Sequence, residues 1–196
     1  MPFVFKRLAF FMSIAAGLAA DKQTPFKAPS AAEFAHHQTN NKVTLGAEPY
    51  VAGDKVKDAF GKLVPYERGV LPVLVAIQND SGRTVKLDGI QVWYVGPHGD
   101  RTEATPAKDV RYTVPPQRPS MIPGPMGLPA KGKKNPFDEW EIEGRAFAAQ
   151  ALPAGNQAYG FFYFRTGIQK GATIYVSGLV DTATGEELMF FEVPLE

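Results

Sequence analysis

The run Gly69–Tyr94, GVLPVLVAIQNDSGRTVKLDGIQVWY, constrains the fold more than any other stretch of the chain. Leu71–Ile77 is nearly all apolar, as a central strand buried on both sides must be. Asn79-Asp80-Ser81-Gly82 then supplies turn residues that tolerate positive φ or bond their own backbone. Beyond the turn Val85 and Leu87 share a face, Gly89 marks a bulge, and Ile90, Val92 and Tyr94 resume the alternation. The stretch reads as an antiparallel hairpin, the central pair of a sandwich or barrel. Its polar residues are accounted for by the turn.

The same rhythm recurs along the chain. Lys42–Tyr50 alternates Val43, Leu45 and Ala47 with polar partners and suits a first strand. In DKVKDAFG, Asp54 is placed to cap a short helix with Val56, Ala59 and Phe60 on one face and Gly61 at its end. Pro97–Asp100 is a turn, and Val110, Tyr112 and Val114 give another two-residue period. Pro115–Pro129 holds six prolines and two glycines, which excludes both a helix and a central strand and predicts an extended crossover.

A helix follows on this reading, with Asn135 as cap, Pro136 at the first position and Phe137, Trp140, Gly144, Phe147 and Ala151 as its core stripe. A strand over Trp140, Ile142, Gly144 and Ala146 competes with it. Tyr159–Phe164, Ala172–Leu179 and Glu187–Val193 close the chain as strands. Seven or eight strands with regularly spaced turns predict an all-β antiparallel sandwich over 42–196, with one or two short accessory helices.

The first twenty residues have the parts of a secretory signal: Lys6 and Arg7, an apolar core from Leu8, and small residues at Gly17, Ala19 and Ala20. That apolar run is short of the ~20 residues a spanning helix needs. Export to the periplasm or the exterior is therefore expected, with no stable membrane insertion after cleavage. Residues 21–41, polar and without a sustained period, read as a flexible leader.

The chain has no cysteine, which removes disulfides, thiolate ligands and thiol nucleophiles. Without Lys6 and Arg7 the charges are 19 basic (21 − 2) against 20 acidic, so no basic surface for nucleic acid is expected.

The LPVLVAIQN strand at Leu71–Asn79 and the PAG…GFFYF element at Pro153–Phe164 resemble a group of exported bacterial immunoglobulin-like sandwiches, telokin-like in style. The likeness covers roughly Lys42–Leu195. It implies an immunoglobulin-like fold, brings no assigned activity, and transfers no functional residue.

Candidate sites are sparse. His36-His37 could hold Cu(II) or Zn(II), with Met121 or Met126 as softer ligands, but a metal centre needs three or four ligands. His98 and Asp100 share a turn, with no strained serine elbow to complete a hydrolase. Asp138, Glu139, Glu141 and Glu143 complement a helix start. In GFFYF the pairs Phe161/Tyr163 and Phe162/Phe164 must face opposite sides, one into the core and one either under the Phe137–Ala151 helix or exposed. The binding surface expected is the proline-rich crossover, with Arg111, Tyr112, Arg118 and Met121 meeting another envelope protein or a glycan. No cofactor is implied, and catalysis is not expected.

Overall fold

The computed structural model describes residues 26–113, 135–137 and 140–195. The signal-like segment 1–20 and the crossover 115–129 lie outside them. In chain order come β1 (His37–Asn40), β2 (Val43–Pro49), α1 (Asp54–Phe60), β3 (Leu71–Asn79), β4 (Val85–Lys86), β5 (Gln91–Val95) and β6 (Arg101–Glu103). Then follow α2 (Ala107–Val110), α3 (Trp140–Gly144), β7 (Ala151–Leu152), β8 (Gln157–Phe164), β9 (Thr173–Ser177), β10 (Val180–Asp181) and β11 (Phe191–Pro194).

Two four-stranded sheets face each other. The back sheet has the order β1-β2-β3-β8 and the front sheet β11-β9-β5-β6; a small sheet, β10-β4-β7, closes one end. All strand pairings within the three sheets are antiparallel. The fold is the all-β antiparallel sandwich that the strand pattern predicts. The segments number eleven among the described residues because tight turns and kinks cut several expected strands into short pieces.

The Gly69–Tyr94 hairpin does not form. β3 pairs with β2 and β8, while the residues after the turn join β4 to β7 and β10, and β5 to β6 and β9. The turn is an arch from one sheet to the other, and Asn79 is its pivot. Fully buried, Asn79 donates through Nδ2 to Arg83 O (2.7 Å) and Leu152 O (2.8 Å). Its Oδ1 accepts from Ser81 N (3.1 Å) and Ser81 Oγ (2.7 Å). A side chain that bonds its own turn bends the backbone out of the sheet instead of returning it beside β3. Gly89 likewise sits in a turn closed by Ile90 N to Leu87 O (3.1 Å), not in a bulge.

The apolar run in β3 serves two cores. Leu71, Val73, Val75 and Ile77 point between the sheets, where they meet Val92, Tyr94, Ile174, Val176 and Phe191. Leu74 and Ala76 point the other way, with Phe161 and Tyr163 of β8, into a second core outside the back sheet. That core is roofed by Ala28, Ala31, Phe34, α1, Val110, Phe137 and Ile142. Each large side chain buried there contributes about 1.5–3 kcal/mol.

Residues 26–40, expected to be a flexible leader, are therefore part of the domain. Apolar residues at Phe26, Ala28, Ala31 and Phe34 give the segment a buried side, and β1 then pairs with β2 from His37↔Gly46 to Asn40↔Val43. Gly46 lets it lie so close: a Cβ there would stand 2.5 Å from Ala31 O and 2.7 Å from the Phe34 ring.

Two further expectations change. Val110 and Tyr112 belong to helical turns, α2 and a 3-10 turn over Arg111–Thr113, because Pro106 with φ −53° starts a helix there. Among the described residues the helix expected over Phe137–Ala151 runs from Trp140 and ends at Gly144. Its polarity is reversed, with Ile142 buried and Trp140 58% exposed. The chain leaves it because Ala146 bridges in parallel to Phe161, with Phe161 N bonded to Arg145 O (2.9 Å) and Phe147 N to Phe161 O (3.1 Å).

Candidate functional site

Two surfaces hold aromatic side chains beside polar groups. The first is a cleft of about 570 Å³ between the N-terminal segment, α1 and α3. Gln157 at the start of β8 fixes one wall with both ends of its amide: Oε1 accepts from Ala31 N (3.0 Å) and Nε2 donates to Pro29 O (2.9 Å). Tyr159 donates its hydroxyl to Phe26 O (3.3 Å). The Phe26 ring is thereby laid over the back sheet, 5.6 Å from the Phe161 centroid and 6.3 Å from that of Tyr50.

Arg145 forms the opposite wall. Its backbone is tied to β8 and its guanidinium carbon lies 5.1 Å from the Phe26 centroid and 5.6 Å from that of Trp140. Stacking between two rings orients the guanidinium plane without using its hydrogen-bond donors. Arg145 Nε and Glu141 Oε2 are both buried without a hydrogen-bond partner. The Tyr50 phenol in the same cleft has its pKa pushed up to about 12, by burial first and then by Glu48 and Asp58. It remains protonated at neutral pH. Tyr163 beneath α3 is raised for the same main reason, burial, and donates to Ile142 O (2.7 Å), which holds the helix down.

The second surface is the outer face of the front sheet. Alternation sends Val92, Tyr94, Ile174 and Val176 inward, leaving Trp93 and Tyr175 outward. Register places Glu192, Tyr175, Trp93 and Glu103 in one cross-strand row. Phe190 (44% exposed) stacks on Tyr175 at 5.2 Å, and the Arg101 guanidinium lies 5.5 Å from the Tyr175 centroid. The row is two rings between two carboxylates, with no helix among the described residues packed over it.

The residues singled out in the sequence fall elsewhere. Arg111 and Tyr112 share an exposed 3-10 turn, the guanidinium 5.0 Å from its neighbour's ring and Tyr112 70% exposed. Arg118, Met121 and Met126 lie outside the described residues, as do Asp138 and Glu139. His36 precedes β1 and His37 opens it, His37 Nδ1 lying 3.0 Å from Phe34 O. No group of three or more His, Asp or Glu suited to a metal ion occurs among the described residues. His98 is exposed in the turn between β5 and β6.

The sequence reading missed Phe26, Arg145, Trp93 and Tyr175. The last two were legible as outward positions flanked by inward apolar ones. The first two were not, since their meeting depends on where the chain ends pack.

No known protein family matches the chain, and no curated protein is similar to it in sequence. Solved structures give distant likenesses. A candidate lipoprotein of Bacillus subtilis shares 10% identity over 80% of this chain, with a TM-score of 0.38; the match spans 37% of that protein's length. A secreted protein of Mycobacterium tuberculosis, MPT63, shares 14% over 80% of this chain and 89% of its own, with a TM-score of 0.31. A functionally unknown protein of Listeria monocytogenes shares 12% over 82% and 81%, with a TM-score of 0.34. No helix among the described residues is long and apolar enough to cross a membrane.

Proposed function

We propose that this chain is an exported, non-catalytic binding module of the bacterial cell envelope, and that its front sheet recognises a glycan. The row Glu192–Tyr175–Trp93–Glu103 carries the reading. Flat outward rings stack on the C–H faces of sugars, and flanking carboxylates accept hydrogen bonds from hydroxyl groups. The Lys6-Arg7 signal supports export, and a mature N-terminus after Ala19 or Ala20 in envelope fractions is the expected check.

Co-sedimentation with insoluble cell-wall polysaccharide tests the binding reading. The wild-type chain is expected to sediment with the polymer and a Trp93→Ala/Tyr175→Ala variant to stay in the supernatant. Equal sedimentation of the two overturns it.

One observation favours a second surface. Tyr112, exposed with Arg111 stacked on it, stands where the crossover toward Arg118 and Met121 begins. Replacing 115–129 by a Gly/Ser linker should then remove a protein partner and keep the fold; unchanged co-purification would rule that surface out.

A further inference from the structure

The cleft beside Arg145 has a defect that a stable fold does not tolerate without reason. Arg145 Nε, a buried donor, and Glu141 Oε2, a buried acceptor, lack hydrogen-bond partners, and both residues line the cleft. Each such group costs about 1–3 kcal/mol when left unsatisfied. The two sit four residues apart in sequence, a spacing at which Arg and Glu on a helix ordinarily pair. Here the guanidinium is held between Phe26 and Trp140 instead. The other walls carry both signs, with Lys27, Lys57, Glu48 and Asp58 among the lining residues. Lys55 is already bonded to Glu48, and Lys57 to Asp54 at 2.9 Å. The floor is apolar, made of the Phe26 and Tyr50 rings above Phe161.

An occupant suited to this lining presents an acceptor to the Arg145 guanidinium, a donor to the Glu141 carboxylate and an apolar group to the rings. We infer that the cleft binds a zwitterion, a free α-amino acid with an aromatic or large aliphatic side chain. Its carboxylate meets Arg145, its ammonium meets Glu141, and its side chain lies on Phe26 and Tyr50. A volume of about 570 Å³ is within the range of small-molecule clefts. A simple anion would leave Glu141 facing like charge, and a simple cation would leave Arg145 without an acceptor.

Calorimetric titration of the purified chain with L-phenylalanine, N-acetyl-L-phenylalanine and L-phenylalanine amide separates these cases. Phenylalanine is expected to bind, and each blocked analogue to bind at least about tenfold more weakly. Glu141→Gln should weaken phenylalanine about tenfold and leave the N-acetyl compound unchanged; Arg145→Lys should weaken phenylalanine and its N-acetyl form alike. Circular dichroism of each variant checks the fold. If Arg145→Lys unfolds, the blocked ligands and Glu141→Gln still decide. Absence of phenylalanine binding up to about 10 mM, or N-acetyl-phenylalanine binding as tightly as phenylalanine, overturns the inference. The front-face variant Trp93→Ala/Tyr175→Ala should bind phenylalanine normally, so the glycan reading and this one fail separately.

Discussion

Phe161 and Tyr163 of the back sheet point away from the sandwich, as do Trp93 and Tyr175 of the front sheet. Yet the first pair is 1% exposed and the second is only partly covered. The strands that carry them look alike in sequence, GFFYF against IQVWYV and ATIYVS. What differs is the rest of the chain: residues 26–34, α1, α2 and α3 all fall on the back sheet. An outward aromatic is thus a core residue or a surface residue according to segments far from it. The back sheet became a three-layer structure with a cleft in its roof, and the front sheet kept a face open for contact.

The largest expected effect separates the two faces directly. Phe161→Ala removes a ring packed on Phe26, Tyr50 and Phe60, and should lower the unfolding free energy in urea by about 3–5 kcal/mol. Tyr175→Ala should change it by less than about 1 kcal/mol. Equal losses would break the distinction.

Asn79→Ala at the arch should cost about 2–4 kcal/mol, because Arg83 O and Leu152 O lose their buried donor. Its effect reaches both sheets and should appear as an earlier urea midpoint with an unchanged slope. Gly46→Ala pushes Ala31 and Phe34 off the back sheet, for about 1–3 kcal/mol. Limited proteolysis should then cut within residues 26–36 faster than elsewhere; an unchanged cleavage pattern would show that the roof is not held at this point.

Tyr50 gives the smallest and most specific effect. Its pKa is raised from 10.0 to about 12, so the neutral phenol is favoured by the fold. The stabilisation is complete below pH 10 and is lost as pH climbs to about 12. Tyr50→Phe should flatten that part of the stability–pH curve.

Strand positions were legible wherever side chains alternate or a run is wholly apolar, as in Val43–Pro49, Leu71–Asn79 and Gln157–Phe164. Their partners were not. Adjacent strands around a tight turn suggest a hairpin, but the Asn79 side chain, invisible as a buried hub in sequence, turns the chain across the sandwich. The segment 26–40 was misread because four apolar residues among polar ones carry too weak a period to mark a buried side. The stripe through Phe137, Trp140, Gly144, Phe147 and Ala151 was real as spacing, yet bonds from β8 stop the helix at Gly144. Arg145 and Phe26 were beyond reach for the same reason: their contact is made by tertiary packing alone.

The central strand β3 has a consequence for how the molecule is assembled. Its nine residues carry no charge and no glycine, and one edge waits for β8, which the chain supplies only near its end. Until then β1, β2 and β3 can form a local meander whose open edge, on a strand that holds Pro72, can pair with another chain. Long-range pairing of this kind is slow. The residue pattern that lets β3 serve two cores in the finished protein also makes it prone to intermolecular association during folding.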